Sequence, residues 1–235
     1  MTTLNDGQAS SERVVLSPPT TQLFRELAAR LEMLDRECYS RLSRDPLQPI
    51  LGLGAANSRW CFIGRDPGEQ EVHQQWPFVG ESGARIRAVM DEFHLSDADV
   101  FWMNTVPYKP KGNKAWRKAV RKEFQPALLE LLAAWQGTRV ITFGEQAFSW
   151  FGLRNPEVAS ALRRFWTRAD KYKAEIAVTL QIGQVNRQFA VCPLPHPSKA
   201  NASWVKAFPD LLRERLSAAD DGSREARSKF PSGCG

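Results

Sequence analysis

Cysteine and histidine are scarce in this chain. Cys38, Cys61, Cys192 and Cys234 stand far apart, with no C-x-x-C pair, so neither a paired-thiol metal site nor a dithiol redox motif is expected. Cys61 and Cys192 fall in apolar, strand-like runs where a buried thiol is the natural role; Cys234 lies in a polar tail. No apolar run approaches the roughly 20 residues that span a bilayer, and no membrane partner is expected. Met1 to Ser17 is polar and has no signal-peptide core, which makes a cytoplasmic location the expectation. Neither an internal repeat nor a domain linker interrupts the chain.

What is present is enough for one full-sized core. The 235 residues are 43% hydrophobic and include eight tryptophans, a globular composition. A formal net charge of +6 admits a polyanionic partner without requiring one.

Apolar periodicity predicts an amphipathic helix over 20–43, with Thr20 or Thr21 as cap and Leu23, Leu27, Leu31, Leu34 and Leu42 at helical spacing. Strands are predicted at Trp60–Gly64, Val100–Asn104 and Arg139–Phe143, and helices at 82–93, 115–135 and from Glu145. A hairpin is expected from 174–180 and 189–193 around Gly183 and Asn186, and a closing helix at 203–216. Strands alternating with helices imply a three-layer α/β/α fold with a mostly parallel central sheet. One domain is expected over 20–217, preceded by a disordered or extended segment 1–19 and followed by a flexible tail 218–235.

Four short segments carry the chemistry: Gly64-Arg65-Asp66-Pro67-Gly68, Pro77-Phe78-Val79-Gly80, Asn104 with Pro110-Lys111-Gly112-Asn113-Lys114, and His196-Pro197-Ser198. Three of them begin at predicted strand ends, where open parallel sheets gather their ligands. They supply a carboxylate, an aromatic plate, an amide and a histidine. Each also has a structural reading: Asp66 in an Asx-turn, Phe78 in the core, Asn104 closing a turn, His196 as a proline-bounded scaffold residue.

Together the segments resemble the uracil-DNA glycosylase superfamily, over about residues 60–216, with a layout closest to its family four. The resemblance implies a uracil-DNA glycosylase-like fold and excision of a flipped base from DNA. Such cleavage passes through an oxocarbenium-like sugar while the departing base gains negative charge. Asp66 would steady the cation and activate water. Phe78 would stack on the base, and His196 would donate to the base O2. Asn104 offers one donor and one acceptor, a match for uracil O4 and N3–H or, turned over, for cytosine N4 and N3. Gly64, Arg65, Pro67 and Gly68 would complete the base pocket. Ser198, Lys199, Ala200 and Asn201 would meet the strand, and Lys109, Lys111 and Lys114 would track phosphates. The basic run continues through Arg117, Lys118, Arg121 and Lys122, which alone reads as a solvated helix face.

The departures are informative. Family four places its acid directly after the first glycine, where Arg65 stands; the family-one acid position matches Asp66. Gly68 replaces the tyrosine by which family one screens pyrimidine C5, leaving room for substituents. Residues 199–201 contain no bulky apolar side chain to wedge a duplex, which suits single-stranded or easily unpaired DNA. Family four holds an iron–sulfur cluster on four cysteines, yet here Tyr108 and Phe124 occupy two matching places and the N-terminal pair is missing, so no cofactor is expected. The expected partner is DNA bearing uracil; a modified pyrimidine, such as the modified cytosines of some phage genomes, is the alternative, and a DNA-binding relative without turnover is a third. A monomer is expected.

Overall fold

The computed structural model describes residues 14–52, 54–198 and 201–228. The first element is α1 (Pro18–Ala29), capped by Ser17, whose Oγ accepts from the Thr20 amide at 3.2 Å. Two prolines at the first helical positions fit there because their missing N–H groups would be unpaired anyway. The cap is therefore Ser17, not Thr20 or Thr21.

The helix expected over 20–43 is broken. After Ala29 the chain turns, and a second helix, α2, occupies only Arg36–Arg41, with Asp35 accepting from the Cys38 amide at 3.2 Å. The cause is a competing backbone ladder. Asp35 N donates to Lys109 O at 3.1 Å, Lys111 N donates to Met33 O at 2.7 Å, and Leu34 bridges to Pro110. Leu31 and Leu34 still reach the core from the turn, so the leucine spacing resembles that of a continuous helix.

Strand β1 (Trp60–Gly64) leads through α3 (Glu69–Gln74) and α4 (Glu81–Glu92) to β2 (Val100–Asn104). Next come α5 (Lys118–Ala134), β3 (Arg139–Phe143), α6 (Glu145–Ser149) and α7 (Pro156–Trp166). Strands β4 (Ile176–Ile182) and β5 (Val185–Leu194) form the expected hairpin, with Ile182 opposite Val185 and Gly183 turning at φ 59°. The chain continues into α8 (Ala202–Val205) and α9 (Phe208–Ser228). Helix α9 thus runs beyond the predicted end at 216 and into the segment expected to be a flexible tail. Residues 1–13 and 229–235, on which the terminal expectations also fall, lie outside the described residues.

The sheet order is β2-β1-β3-β5-β4, parallel except for β4. Side chains alternate between two cores, as pleated strands require. Cys61, Ile63, Phe101, Met103, Val140, Phe189 and Val191 pack with α1, α5, α6 and α7 on one face. Phe62, Trp102, Ile141, Phe143 and Leu194 pack with α4 and α9 on the other. This is a three-layer α/β/α molecule with a largely parallel sheet. Its register pairs Gly64 with Asn104 and Phe143 with Leu194. The four parallel strands therefore end nearly level, and the loops after them share one edge.

Candidate active site

That edge is a cleft of about 900 Å³. Arg65, Asp66, Pro67, Gly68, Phe78, Asn104, His196, Ser198 and Asn201 all line it. Four segments spread over more than a hundred residues of sequence thus converge on one cavity. Gly64 lies behind them. A Cβ there would run into the Phe78 ring and sit 2.6 Å from Asn104 Oδ1, so glycine lets the plate and the amide approach each other.

Asp66 follows β1 and its side chain is 1% exposed. Oδ2 accepts from Arg65 Nε at 2.8 Å; Oδ1 is buried with no donor among the described residues. Burial pushes the carboxyl up to about 7 against the opposing pull of Arg65, by charge and hydrogen bond, and of Arg121. The loop itself is fixed by Thr105, whose Oγ1 donates to Arg65 O at 2.7 Å while its amide reaches Gly64 O and Arg65 O. Arg65 also donates to Asn113 O at 3.2 Å, tying the acid loop to the turn after β2.

His196 follows β5 and is pushed down to about 4 by burial and by the charge of Arg65. It is neutral at pH 7, a state in which an imidazole can offer a hydrogen bond but carries no extra proton. Its loop is held from both sides: Asn201 Nδ2 donates to His196 O at 3.2 Å, and Arg85 Nη1 to Pro197 O at 2.9 Å. Gly144, at φ 88°, brings the start of α6 against the His196 ring.

Phe78 adopts φ 57°, a backbone conformation rarely taken by a bulky residue, of the sort that concentrates at functional sites. Two features impose it. Arg87 Nη1 donates to the Phe78 carbonyl, and Gly83 packs so tightly that a Cβ there would overlap that oxygen. Arg87 is in turn paired with Asp97 at 2.9 Å and stacked 4.8 Å over Trp102. The Phe78 ring leans on Trp102 and Phe143.

Glu71 was not singled out in the sequence, yet it joins the two loops. Its Oε2 accepts from the Gly68 amide at 2.9 Å and its Oε1 from the Gly80 amide at 2.7 Å. The signal was faint: an acid three residues after Gly68, as in the reciprocal bonding of a capping box.

The lysine and arginine run divides. Lys109 is buried and paired with Asp35 at 2.5 Å, so it faces inward and not toward a phosphate track. Arg121 is buried too, donating to Gln146 O at 3.1 Å, with Nε lacking an acceptor among the described residues. Lys111, Lys114, Arg117, Lys118 and Lys122 are exposed. Lys199 and Ala200 lie outside the described residues.

A family model, that of the uracil DNA glycosylase superfamily, matches residues 51–219. The chain belongs to this superfamily. Two type-4 uracil-DNA glycosylases are similar to it. One, from Thermotoga maritima, is 28% identical over 105 residues, 43% of this chain and 53% of its own. The other, from Saccharolobus solfataricus, is 29% identical over 102 residues, 43% of this chain and 47% of its own. The matches thus span about half the length of these relatives.

Within the superfamily, the iron–sulfur ligand set of the type-four resemblance does not fit this chain. Tyr108 and Phe124 are fully buried with ring centroids 5.7 Å apart, and Phe24 stacks 6.2 Å from Phe124. The Tyr108 hydroxyl lies 3.1 Å from Phe24 O and 3.0 Å from Leu47 O. Carbon rings and one phenol offer no thiolate donors. Cys38, Cys61 and Cys192 are separate buried thiols, and among the described residues no three potential ligands cluster. No helix among them is long and apolar enough to cross a membrane.

Proposed function

We propose that the protein is a monofunctional DNA glycosylase that hydrolyses the bond between a flipped base, uracil foremost, and its deoxyribose. The observation carrying this reading is the convergence of Asp66, Asn104, Phe78 and His196 on one cleft at the strand ends. Phe78 stacks on the base and Asn104 pairs with its edge. The C–N bond breaks with its electron pair going to the base, and neutral His196 donates to the base O2 as charge gathers there. Ionised Asp66 steadies the sugar cation and takes the proton of the water whose oxygen bonds to C1′. Lys111, Lys114 and Ser198 meet phosphates.

The test is a panel of labelled oligonucleotides, single- and double-stranded, carrying uracil, hypoxanthine, thymine mismatches or hydroxymethylated and glucosylated cytosine, with alkaline cleavage reporting abasic sites. Asp66→Asn is expected to lower the rate by roughly 10²–10⁴-fold, and His196→Ala by roughly 10²–10³-fold. Excision unchanged in both variants sinks the assignment.

A second substrate reading has its own support. Gly68 lines the cleft without a side chain, and the cleft lies near the top of the roughly 300–1,000 Å³ usual for ligand sites. A pyrimidine carrying a C5 substituent fits this geometry, and cutting confined to the modified cytosines would establish it.

A further inference from the structure

The cleft is also lined by aromatic residues from outside the four convergent segments. Trp166 at the end of α7, Tyr172 in the connection to β4, and Trp204 in α8 all line it. Their rings form a continuous edge-to-face series: Trp166 to Tyr172 at 5.9 Å and 83°, Tyr172 to Trp204 at 4.8 Å and 79°. Trp166 packs on one core and Tyr172 on the other. Trp204, by contrast, is 38% exposed. Among the described residues the exposed large hydrophobic side chains are Val15, Met33, Val185 and Trp204, so a single exposed aromatic plate stands in the catalytic cleft.

We propose that Trp204, braced by Tyr172 and Trp166, is a stacking subsite for an unpaired nucleobase next to the excised nucleotide. The inference rests on the reading of the cleft as a DNA site and adds to it a preference for unpaired strand. Three observations narrow the occupant to a base. The plate is continuous with the cleft that would hold the flipped nucleotide. Lys171 Nζ lies 5.4 Å over Trp166 and 5.2 Å over Tyr172, and rings with a cation beside them are the composition of single-strand grooves. Glu145 lines the same cleft and acts on Tyr172, whose hydroxyl is pushed up first by burial and then by that charge. A carboxylate there, with Glu81 also in the cleft, disfavours a phosphate on the plate and suits the exocyclic amine of a base. The plate also bears on the loop after His196. Its residues 199–201 are Lys, Ala and Asn, none of which fills a stack, whereas Trp204 lies three positions beyond.

The experiment measures dissociation constants for a fluorescently labelled oligonucleotide without a target base, single-stranded and as its duplex, at fixed salt. The full chain is compared with Trp204→Ala and Trp204→Phe, and circular dichroism melting checks each fold. Trp204→Ala is expected to weaken single-strand binding by roughly 5- to 100-fold, the size that stacking on one base carries. Trp204→Phe should keep most of the affinity, and duplex binding should change less than about threefold, since a paired base cannot reach the plate. An unchanged single-strand constant, or equal losses on both substrates, overturns the subsite. Because binding is read without excision, an enzyme that cuts uracil but is indifferent at Trp204 refutes this inference alone. A protein that cuts nothing on the panel refutes the glycosylase reading and leaves the binding comparison standing.

Discussion

Asp66 is a carboxyl group that the fold has made difficult to ionise. Buried at 1% exposure, it titrates near 7 because loss of hydration outweighs two neighbouring arginines. If ionised Asp66 does the work, activity rises as pH rises through about 7, and His196, already neutral above about 4, adds no inflection near its ordinary value. Arg121 lowers the carboxyl's pKa from behind the loop, so Arg121→Met should move the acidic limb to higher pH while leaving most of the plateau rate. A pH–rate profile under single-turnover conditions checks this; a limb that stays in place with only a lower plateau assigns Arg121 to packing alone. Arg121 was visible in the sequence only as one cation in a basic run. Its burial depends on α6, whose Gln146 carbonyl accepts from Arg121, lying beside α5 in the fold, which no local pattern encodes.

At the scale of elements, the strands and most helices were legible, the short α6 at Glu145 among them, while α3 and α7 were not. Trp60–Gly64, Val100–Asn104 and Arg139–Phe143 stand where apolar runs predicted them, because strands buried on both faces read as uninterrupted hydrophobic stretches. The two missed helices differ in kind. α7 carries a start signal, with Asn155 accepting from the Glu157 and Val158 amides ahead of Pro156, and could have been read. α3 is six residues long, too short for periodicity to rise above noise, yet it presents Glu71 to both site loops. Glu71→Ala strands the Gly68 and Gly80 amides and frees the Phe78 loop from the Asp66 loop. We expect a loss of about 2–4 kcal/mol, from two charge-assisted bonds at about 1.5–3 kcal/mol each less relaxation, read as a lower melting temperature together with impaired excision. Wild-type stability in Glu71→Ala would show that the tie is incidental.

Across the whole molecule, the level strand ends turn a linear scatter of motifs into one cavity, which the register Gly64–Asn104 and Phe143–Leu194 explains. The residue types lining that cavity could be read from the sequence; the direction of each charge could not, as Lys109 shows by turning inward to Asp35. The cations left outside are a testable electrostatic face. Removing Lys111 and Lys114 together should reduce the slope of log K against log salt by about 1.4–1.8, the value for two phosphate contacts. The same substitution at Lys109 should instead destabilise the fold, because Asp35 would be left without its partner. Where the type-four resemblance would put iron–sulfur ligands, Tyr108, Phe124 and Phe24 form an aromatic packing joint closed by one phenol. Such a joint is held by buried rings and one hydroxyl between two carbonyls, so the shape of this corner is set by covalent side chains alone and is complete as soon as the chain has folded.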